Sequence, residues 1–214
     1  MQVRLPAEWE PQDGVLMAWP HANTDWAPYL SEAQHLFGQI IYHISRLETV
    51  VLVVPVGEEE SVRTLLAASG CTMERVRLYP LPCNDTWARD FGPITVYQDD
   101  KPLLLDFGFN GWGLKFTADL DNWLTRRLAE CDAFPGASLE TCGLILEGGS
   151  LESDGKGLLL TTAECLLNAN RNPHLDRSEL DEQLQARFGV SRLLWLEHGY
   201  LAGDDLCRMH RPAG

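Results

Sequence analysis

The stretch Asn84-Asp-Thr-Trp-Ala-Arg-Asp-Phe-Gly-Pro93 places an aromatic side chain, an arginine and two carboxylates within ten residues. Pro93 cannot donate a backbone hydrogen bond and disfavours the α region for the residue before it, so any helix must end here. Apolar segments at 75–82 and 94–97 flank the stretch, which places it between two predicted strands. Taken alone, the stretch leaves a simpler interpretation open, in which Asp90 caps a turn and Trp87 fills the core.

The pattern that follows Asp90 recurs after Glu147, which lies 57 residues further along the chain. Each unit is predicted as strand, strand, helix and strand, and in each unit the second strand contains Leu-Leu-Leu. The predicted elements are 94–97, 103–105, 118–130 and 143–146 in the first unit, and 151–153, 158–161, 178–188 and 192–196 in the second. A helical turn at 163–167 is predicted within the second unit, and Ser178 is the predicted N-cap of its helix.

Another step of 57 residues from Glu147 reaches Asp204. Repeated strand groups are typical of radially arranged folds, in which equivalent strand ends converge on an axis of pseudosymmetry. The spacing therefore predicts that the carboxylates of Asp90, Glu147 and Asp204 lie close together.

The N-terminal part of the chain is predicted to alternate strands and helices. The predicted strands are 15–19, 50–54 and 74–79, and the predicted helices are 26–47 and 58–68, with Gly70 closing the second helix. This alternation is typical of α/β architecture. The fold class predicted for the whole chain is therefore α/β.

The composition of the 214 residues limits the function classes. The net charge of −14 argues against nucleic acid as a partner, because phosphates require a basic surface. A run of about 18 apolar residues does not occur, so no membrane association is expected. The first ten residues lack the apolar segment of a signal peptide, which predicts a cytoplasmic location.

The six cysteines show no CxxC pair, and the histidines form no cluster with metal-ligand spacing. In a cytoplasmic chain such cysteines are expected to be buried thiols, and neither a metal nor a cofactor is predicted.

Converging carboxylates repel one another and stay ionised only with a cation among them. Without a metal signature the cation is expected to be organic. Guanidinium fits best, because it is planar, permanently charged and presents paired donors to carboxylates. Trp87 could supply a flat face for the same cation. Two carboxylates could equally serve glycoside hydrolysis, although the chain shows no clear aromatic-rich groove for a sugar chain.

These residues also resemble a known family. The opening stretch is similar to the NDTWxRDxGP segment of agmatine deiminases and bacterial peptidylarginine deiminases. Further blocks resemble that family in the same order: Pro6-Ala-Glu-Trp-Glu-Pro11, Trp19-Pro-His21, Thr24-Asp-Trp26, Leu146-Glu-Gly-Gly-Ser150, Leu159-Leu-Thr-Thr-Ala-Glu-Cys-Leu-Leu-Asn168 and Asn170-Arg-Asn-Pro173. The resemblance extends from about residue 6 to residue 205.

The resemblance implies a pentein-like α/β propeller of five strand–strand–helix–strand modules, of which this chain contains about three. It implies hydrolysis of a guanidinium group to a ureido group with release of ammonia. In the family a Cys thiolate attacks the guanidinium carbon and a His acts as general acid and base. By motif, Asp90 and Glu147 would bind the guanidinium and Trp87 would line the pocket. Cys83 and Cys165 are interpreted as packing residues.

The chain departs from the family after Asp205, where the family continues into a His-x-Asp motif. Here Leu206 to Gly214 form a divergent tail, and the family's catalytic His and nucleophilic Cys have no counterpart in it. Cys207 and His210 stand in the tail without supporting pattern, so no catalytic residue is assigned. The predicted domains are therefore an incomplete deiminase propeller at 1–205 and a tail at 206–214.

The leading hypothesis is an agmatine deiminase relative, which would convert agmatine to N-carbamoylputrescine and ammonia in putrescine biosynthesis and be inactive as this chain stands. The alternatives are a peptidylarginine deiminase and a non-catalytic protein that binds guanidinium compounds or assembles with other chains. An open arc of modules would expose apolar faces, so a homo-oligomer is one expected consequence.

Overall fold

Parallel and antiparallel strands both occur in the computed structural model, which describes residues 2–199. The described strands are β1 (Val3–Arg4), β2 (Gly14–Ala18), β3 (Thr49–Val54), β4 (Val76–Pro80), β5 (Ile94–Gln98), β6 (Lys101–Gly108), β7 (Ser138–Ile145), β8 (Glu152–Ser153), β9 (Leu158–Thr162) and β10 (Arg192–Leu196). The described helices are α1 (Leu30–Ser45), α2 (Glu59–Ala68), α3 (Ala88–Phe91), α4 (Gly111–Leu114), α5 (Leu124–Glu130), α6 (Ala163–Leu166) and α7 (Arg177–Phe188). The α/β class predicted from the sequence is confirmed.

The N-terminal sheet has the strand order β2-β3-β4, and its neighbouring strands are parallel. Its central strand β3 is a β-branched run whose residues 50–54 are buried, which suits a strand covered on both faces. α1 and α2 connect these strands and pack on the sheet through residues such as Ile41, Val62 and Leu66. Trp19, directly after β2, is 1% exposed in the same cluster.

The two predicted repeat units form the other two sheets, one of which also has β1 antiparallel to β5 at its edge. In the first, β5 and β6 make an antiparallel hairpin, and β7 returns parallel to β6 after α5. In the second, β8 and β9 are antiparallel, and β10 returns parallel to β9 after α7. The strand–strand–helix–strand order is thus confirmed for both units within residues 2–199. Asp90 precedes β5 and Glu147 precedes β8, so both acids stand at equivalent points.

Several predicted boundaries are wrong, each for a local reason. The first helix begins at Leu30 and not at residue 26, because Ala27–Tyr29 form a 3-10 turn containing Pro28. β7 begins at Ser138 and not at 143, because Ser138 already pairs with Leu103 of β6. In the predicted 118–130 helix, α5 starts only at Leu124, after the 3-10 turn Asp121–Trp123.

The predicted N-cap Ser178 is also wrong, because Asp176 caps α7. Its side chain accepts a hydrogen bond from the Glu179 backbone N–H at 2.9 Å, and the Glu179 side chain accepts one from the Asp176 N–H at 2.8 Å. This reciprocal pair is a capping box, and it places the first helical residue at Arg177.

Asp204, Cys207, His210 and the predicted 206–214 tail lie outside the described residues. Across residues 2–199, the helices are too short or too polar for any of them to cross a membrane.

Candidate functional site

Asp90 lies where the two repeat units meet. Its Oδ1 accepts a hydrogen bond from the backbone N–H of Gly149 at 2.9 Å. Its Oδ2 accepts one from the indole N–H of Trp112, also at 2.9 Å. The half-buried carboxylate is therefore held in one orientation by a donor on each oxygen.

The two glycines after Glu147 allow the second unit to approach the first. A Cβ at Gly148 would collide with the carbonyl oxygen of Arg89, and a Cβ at Gly149 would collide with Asp90 Oδ1. The Glu-Gly-Gly segment therefore needs glycine because the backbone passes directly against the 89–90 peptide. This close approach brings Glu147 near enough to Asp90 that, besides burial, the Asp90 charge contributes to raising the pKa of Glu147.

Trp112 reaches Asp90 because the single turn α4 has a left-handed backbone. All four residues Gly111–Leu114 have positive φ, including 58° at Trp112 and 66° at Leu114. Such a conformation costs roughly 1–2 kcal/mol for each residue with a side chain. Hydrogen bonds offset this cost: Asn110 Oδ1 accepts from the Gly113 N–H at 2.9 Å, and Asn170 Nδ2 donates to the Gly113 carbonyl at 3.0 Å.

Tryptophan rings form a wall beside this carboxylate. Trp87 stacks on Trp26 with ring centroids 6.4 Å apart, and it meets Trp112 edge to face at 6.2 Å. The Trp26 indole N–H donates to the Thr86 hydroxyl at 2.8 Å, which fixes that ring. Trp87 is 43% exposed, so part of its surface stays accessible to a ligand stem.

Glu147 already holds a guanidinium, which belongs to Arg171. The Arg171 Nε lies 2.9 Å from both carboxylate oxygens of Glu147, and the Glu147 residue is only 3% exposed. Burial raises the pKa of Glu147, whereas Arg171 acts in the opposite direction. The sequence predicts a Glu147 carboxylate that is free to bind a ligand. In the structure this carboxylate is already paired with Arg171, so a ligand would have to share it.

The start of the opening stretch is anchored by Asp121. Its two carboxylate oxygens accept hydrogen bonds from the backbone N–H groups of Asn84, at 2.6 Å, and Asp85, at 3.3 Å. In return, Asn84 Oδ1 accepts from the Leu120 and Asp121 N–H groups. Asp121 is buried, and burial raises its pKa to about 6.

Neither Cys83 nor Cys165 is suited to act as a nucleophile. Cys83 is buried with its Sγ 3.5 Å from His21 Nε2, and burial raises its pKa to about 12. Burial also raises the pKa of Cys165. A protonated thiol is a weak nucleophile. Between residues 2 and 199, no three His, Cys, Asp or Glu side chains are grouped closely enough to hold a metal ion.

Sequence reasoning missed Trp112 and Arg171 as parts of this site. Trp112 stands between glycines in Gly111-Trp-Gly113, which signals an unusual backbone but not the direction of the ring. Arg171 lies in the Asn170-Arg-Asn-Pro173 block, and its carboxylate partner is 24 residues away in sequence. No local pattern identifies such a pair.

Curated relatives are similar along nearly the whole chain. Agmatine deiminase of Pseudomonas aeruginosa (strain LESB58) is 36% identical over 98% of this chain and 58% of its own length. Agmatine deiminase of Medicago truncatula is 34% identical over 94% of this chain and 55% of its own length. The chain thus spans a little more than half the length of these relatives.

Solved structures resemble the chain to a similar extent. A Cys-to-Ser variant of C. jejuni agmatine deiminase with substrate bound has a TM-score of 0.84 and 34% identity, over 95% of this chain and 58% of that one. Agmatine deiminase of Enterococcus faecalis has a TM-score of 0.80 and 30% identity, over 91% of this chain and 53% of that one. The family model described as Porphyromonas-type peptidyl-arginine deiminase matches residues 4–211. The chain therefore belongs to the Porphyromonas-type peptidyl-arginine deiminase family.

Proposed function

We propose that this chain contains the guanidinium-binding part of an agmatine deiminase. The observation that supports this function best is the Asp90 carboxylate, fixed by Gly149 and Trp112 beside the exposed Trp87 ring. A carboxylate that is already oriented loses little freedom when it pairs with a planar cation. The substrate would be agmatine, and the products N-carbamoylputrescine and ammonia.

Each of the proposed binding residues has a separate role. Asp90 accepts hydrogen bonds from the guanidinium and sets its plane. Trp87 covers the alkyl stem of the substrate. Glu147 lies at the same junction, and its ion pair with Arg171 holds its carboxylate in place. Glu147 is thus proposed to share its carboxylate between Arg171 and the ligand.

The proposed chemistry also needs a thiolate to attack the guanidinium carbon and an acid–base group to move protons. Among the described cysteines, Cys83 has a strongly raised pKa and lies outside the Asp90 junction. No residue of the sequence matches the family motifs for these two groups. We therefore assign the 214 residues ligand binding and expect no turnover from them alone.

Calorimetry with agmatine tests the binding role. The unaltered chain should bind agmatine, and Asp90→Asn should weaken binding by roughly 10- to 150-fold, because a charge-assisted contact is worth about 1.5–3 kcal/mol. Asp99→Asn is the matched control, since Asp99 lies at the exposed hairpin tip and Asn tolerates its positive φ. A folded chain that binds no agmatine, or an Asp90→Asn variant that binds as tightly, would contradict the proposal.

Two further measurements separate the candidate functions. Tighter binding of an arginine residue inside a short peptide than of agmatine would favour a peptidylarginine substrate. Ammonia release from agmatine above the level of a Cys207→Ala variant would contradict the assignment of binding without turnover.

We also propose that the two repeat units belong to a pentein-like propeller, with the N-terminal parallel sheet as a third module. The repeated strand order and the meeting of Asp90 with the segment after Glu147 support this arrangement. An experimental structure of a chain that contains every module tests it, because equivalent strands must then surround one axis. The cytoplasmic location stays a prediction that cell fractionation can check.

A further inference from the structure

Three consecutive residues of one loop hold three separate parts of the site. The loop comprises residues 168–173 of the second repeat unit, and we call it the 168–173 loop. Within it, Asn170 contacts the α4 turn, and Arg171 pairs with Glu147. Asn172 binds both the backbone N–H and the carbonyl of Ile145, the last residue of β7, at 3.0 Å and 2.8 Å. The role of the first of these contacts is not evident from the ion pair alone.

Asn170 is linked to the α4 turn by two hydrogen bonds in opposite directions. Its side-chain Nδ2 donates to the Gly113 carbonyl at 3.0 Å, and its backbone carbonyl accepts from Asn110 Nδ2 at 2.7 Å. The Asn110 Oδ1 in turn accepts from the Gly113 N–H at 2.9 Å. One residue of the second unit therefore holds the turn on both sides of Trp112.

The α4 turn requires such contacts because its own backbone conformation is unfavourable. Trp112 and Leu114 have φ angles of 58° and 66°, a region that residues with a side chain rarely adopt. A conformation of this kind persists only where the surrounding structure holds it. If the turn relaxed, the Trp112 indole N–H would lose its hydrogen bond to Asp90 Oδ2.

Asn170 is itself oriented within the 168–173 loop. Its backbone N–H donates to Asn168 Oδ1 at 2.9 Å, which is the hydrogen bond of an Asx turn. The Arg171 N–H donates to the Asn168 carbonyl, also at 2.9 Å. These two bonds fix the backbone on either side of the Asn170 side chain, so its amide is already aimed at Gly113.

We propose that Asn170 is a positioning residue for guanidinium binding, which acts through the α4 turn and the Trp112 indole on Asp90. The proposal rests on the proposed function, because it takes Asp90 as the residue that binds the guanidinium. Gly149, the donor to the other Asp90 oxygen, also lies after Glu147. The segment after Glu147 thus controls both oxygens of a carboxylate that belongs to the first unit.

Calorimetry with agmatine and the Asn170→Asp variant tests the proposal. The variant keeps the size of the side chain but turns an oxygen towards the Gly113 carbonyl in place of a donor. Agmatine binding should weaken roughly three- to tenfold, the range expected for one lost hydrogen bond. The added negative charge would by itself attract a cation, so charge alone predicts the opposite sign.

Ala169→Asp is the matched control, because Ala169 is an exposed residue of the same loop. This variant adds the same charge beside Asn170 and keeps the donor to Gly113. It should bind agmatine as tightly as the unaltered chain or more tightly. Asn170→Ala removes the donor without adding charge, so it should weaken binding in the same direction as Asn170→Asp. Urea unfolding of each variant checks that it is folded.

Proton–nitrogen NMR spectra of the tryptophan side chains distinguish positioning from a general loss of stability. The signal of the Trp112 indole is identified by its absence from the spectrum of Trp112→Phe. This signal should move upfield in Asn170→Asp, because the hydrogen bond to Asp90 is weakened, and it should stay in place in Ala169→Asp. A merely structural role for Asn170 would leave the Trp112 signal of the folded variant unmoved.

Unchanged agmatine affinity in Asn170→Asp would overturn the proposal, as would weaker binding with an unmoved Trp112 signal. An equal loss of affinity in Ala169→Asp would also overturn it. If the unaltered chain binds no agmatine, the proposed function fails, and the NMR spectra then decide on Asn170 alone. A shift of the Trp112 signal in Asn170→Asp would still support its positioning role, and an unmoved signal would refute that role.

Discussion

Replacement of Arg171 by methionine should destabilise the protein by about 3–5 kcal/mol at neutral pH. The change leaves Glu147 charged at 3% exposure, without the guanidinium that lies 2.9 Å from both of its oxygens. Breaking a buried ion pair by removing one partner typically costs this much, because the remaining charge is uncompensated. Methionine keeps most of the side-chain volume, so the loss reports the charge and not a cavity.

The destabilisation should depend on pH with a defined sign. Burial raises the pKa of Glu147 above its ordinary value of 4.5, and removal of Arg171 raises it further. The native state then binds the proton more tightly than the unfolded state, so the free energy of unfolding falls as pH rises from 4.5 through the raised pKa. The deficit of Arg171→Met relative to the unaltered chain should therefore be smallest below pH 4.5 and should grow as pH rises through the raised pKa of Glu147.

Urea unfolding followed by tryptophan fluorescence measures this effect, and Glu147→Gln supplies the control. The double variant Arg171→Met/Glu147→Gln removes both charges, so its stability should exceed that of Arg171→Met alone. A double-mutant cycle should give a coupling energy of about 2 kcal/mol or more. Strictly additive losses, or a cost below about 1 kcal/mol for Arg171→Met, would refute the account of a coupled buried pair.

Two of the other three predictions address the junction around Asp90, and the third addresses Asp121, which anchors the start of the opening stretch. Trp112→Phe keeps an aromatic ring but removes the indole N–H whose nitrogen lies 2.9 Å from Asp90 Oδ2. Calorimetry should show agmatine binding weakened roughly tenfold, with the melting temperature nearly unchanged. Equal affinity would contradict a positioning role for Trp112. Gly148→Ala should cost about 1–3 kcal/mol in urea unfolding, because its Cβ collides with the Arg89 carbonyl, whereas Gly143→Ala meets open space and should cost less. Burial raises the pKa of Asp121 from 3.8 to about 6. Between these two values the native state keeps a proton that the unfolded state has lost, so the free energy of unfolding falls as pH rises through that window. Asp121→Asn should flatten this slope by up to about 1.4 kcal/mol per pH unit, and an unchanged slope would refute the assignment.

The sequence predicted the repeat because hydrophobic patterning is local and the unit recurs. The Leu-Leu-Leu strands and the acids 57 residues apart were sufficient to expect two equivalent units. The β-branched run of β3 likewise identified a central strand without any knowledge of its neighbours. Predictions of this kind depend on residues that lie close together along the chain.

The missed features depend on partners that are distant along the chain. Asp176 caps α7 because its carboxylate and that of Glu179 each accept a hydrogen bond from the other residue's N–H group. Residue type alone does not distinguish Asp176 from Ser178, since both Asp and Ser are good N-cap residues. The sequence predicts a Glu147 carboxylate that is free to bind a ligand. Its partner in the structure is Arg171, which lies in a loop 24 residues later in the chain. β7 starts early because strand pairing with β6 overrides the weak propensity of residues 138–142.

The contact between Asp90 and Gly149 means that the site belongs to neither repeat unit alone. The first unit supplies the carboxylate, and the second supplies a backbone donor that orients it. A ligand held there would act as a clamp across the junction and raise the free energy needed to separate the two units. Substitutions that loosen the junction should consequently weaken affinity even when they touch no ligand, and ligand should protect amides in both units from exchange at once.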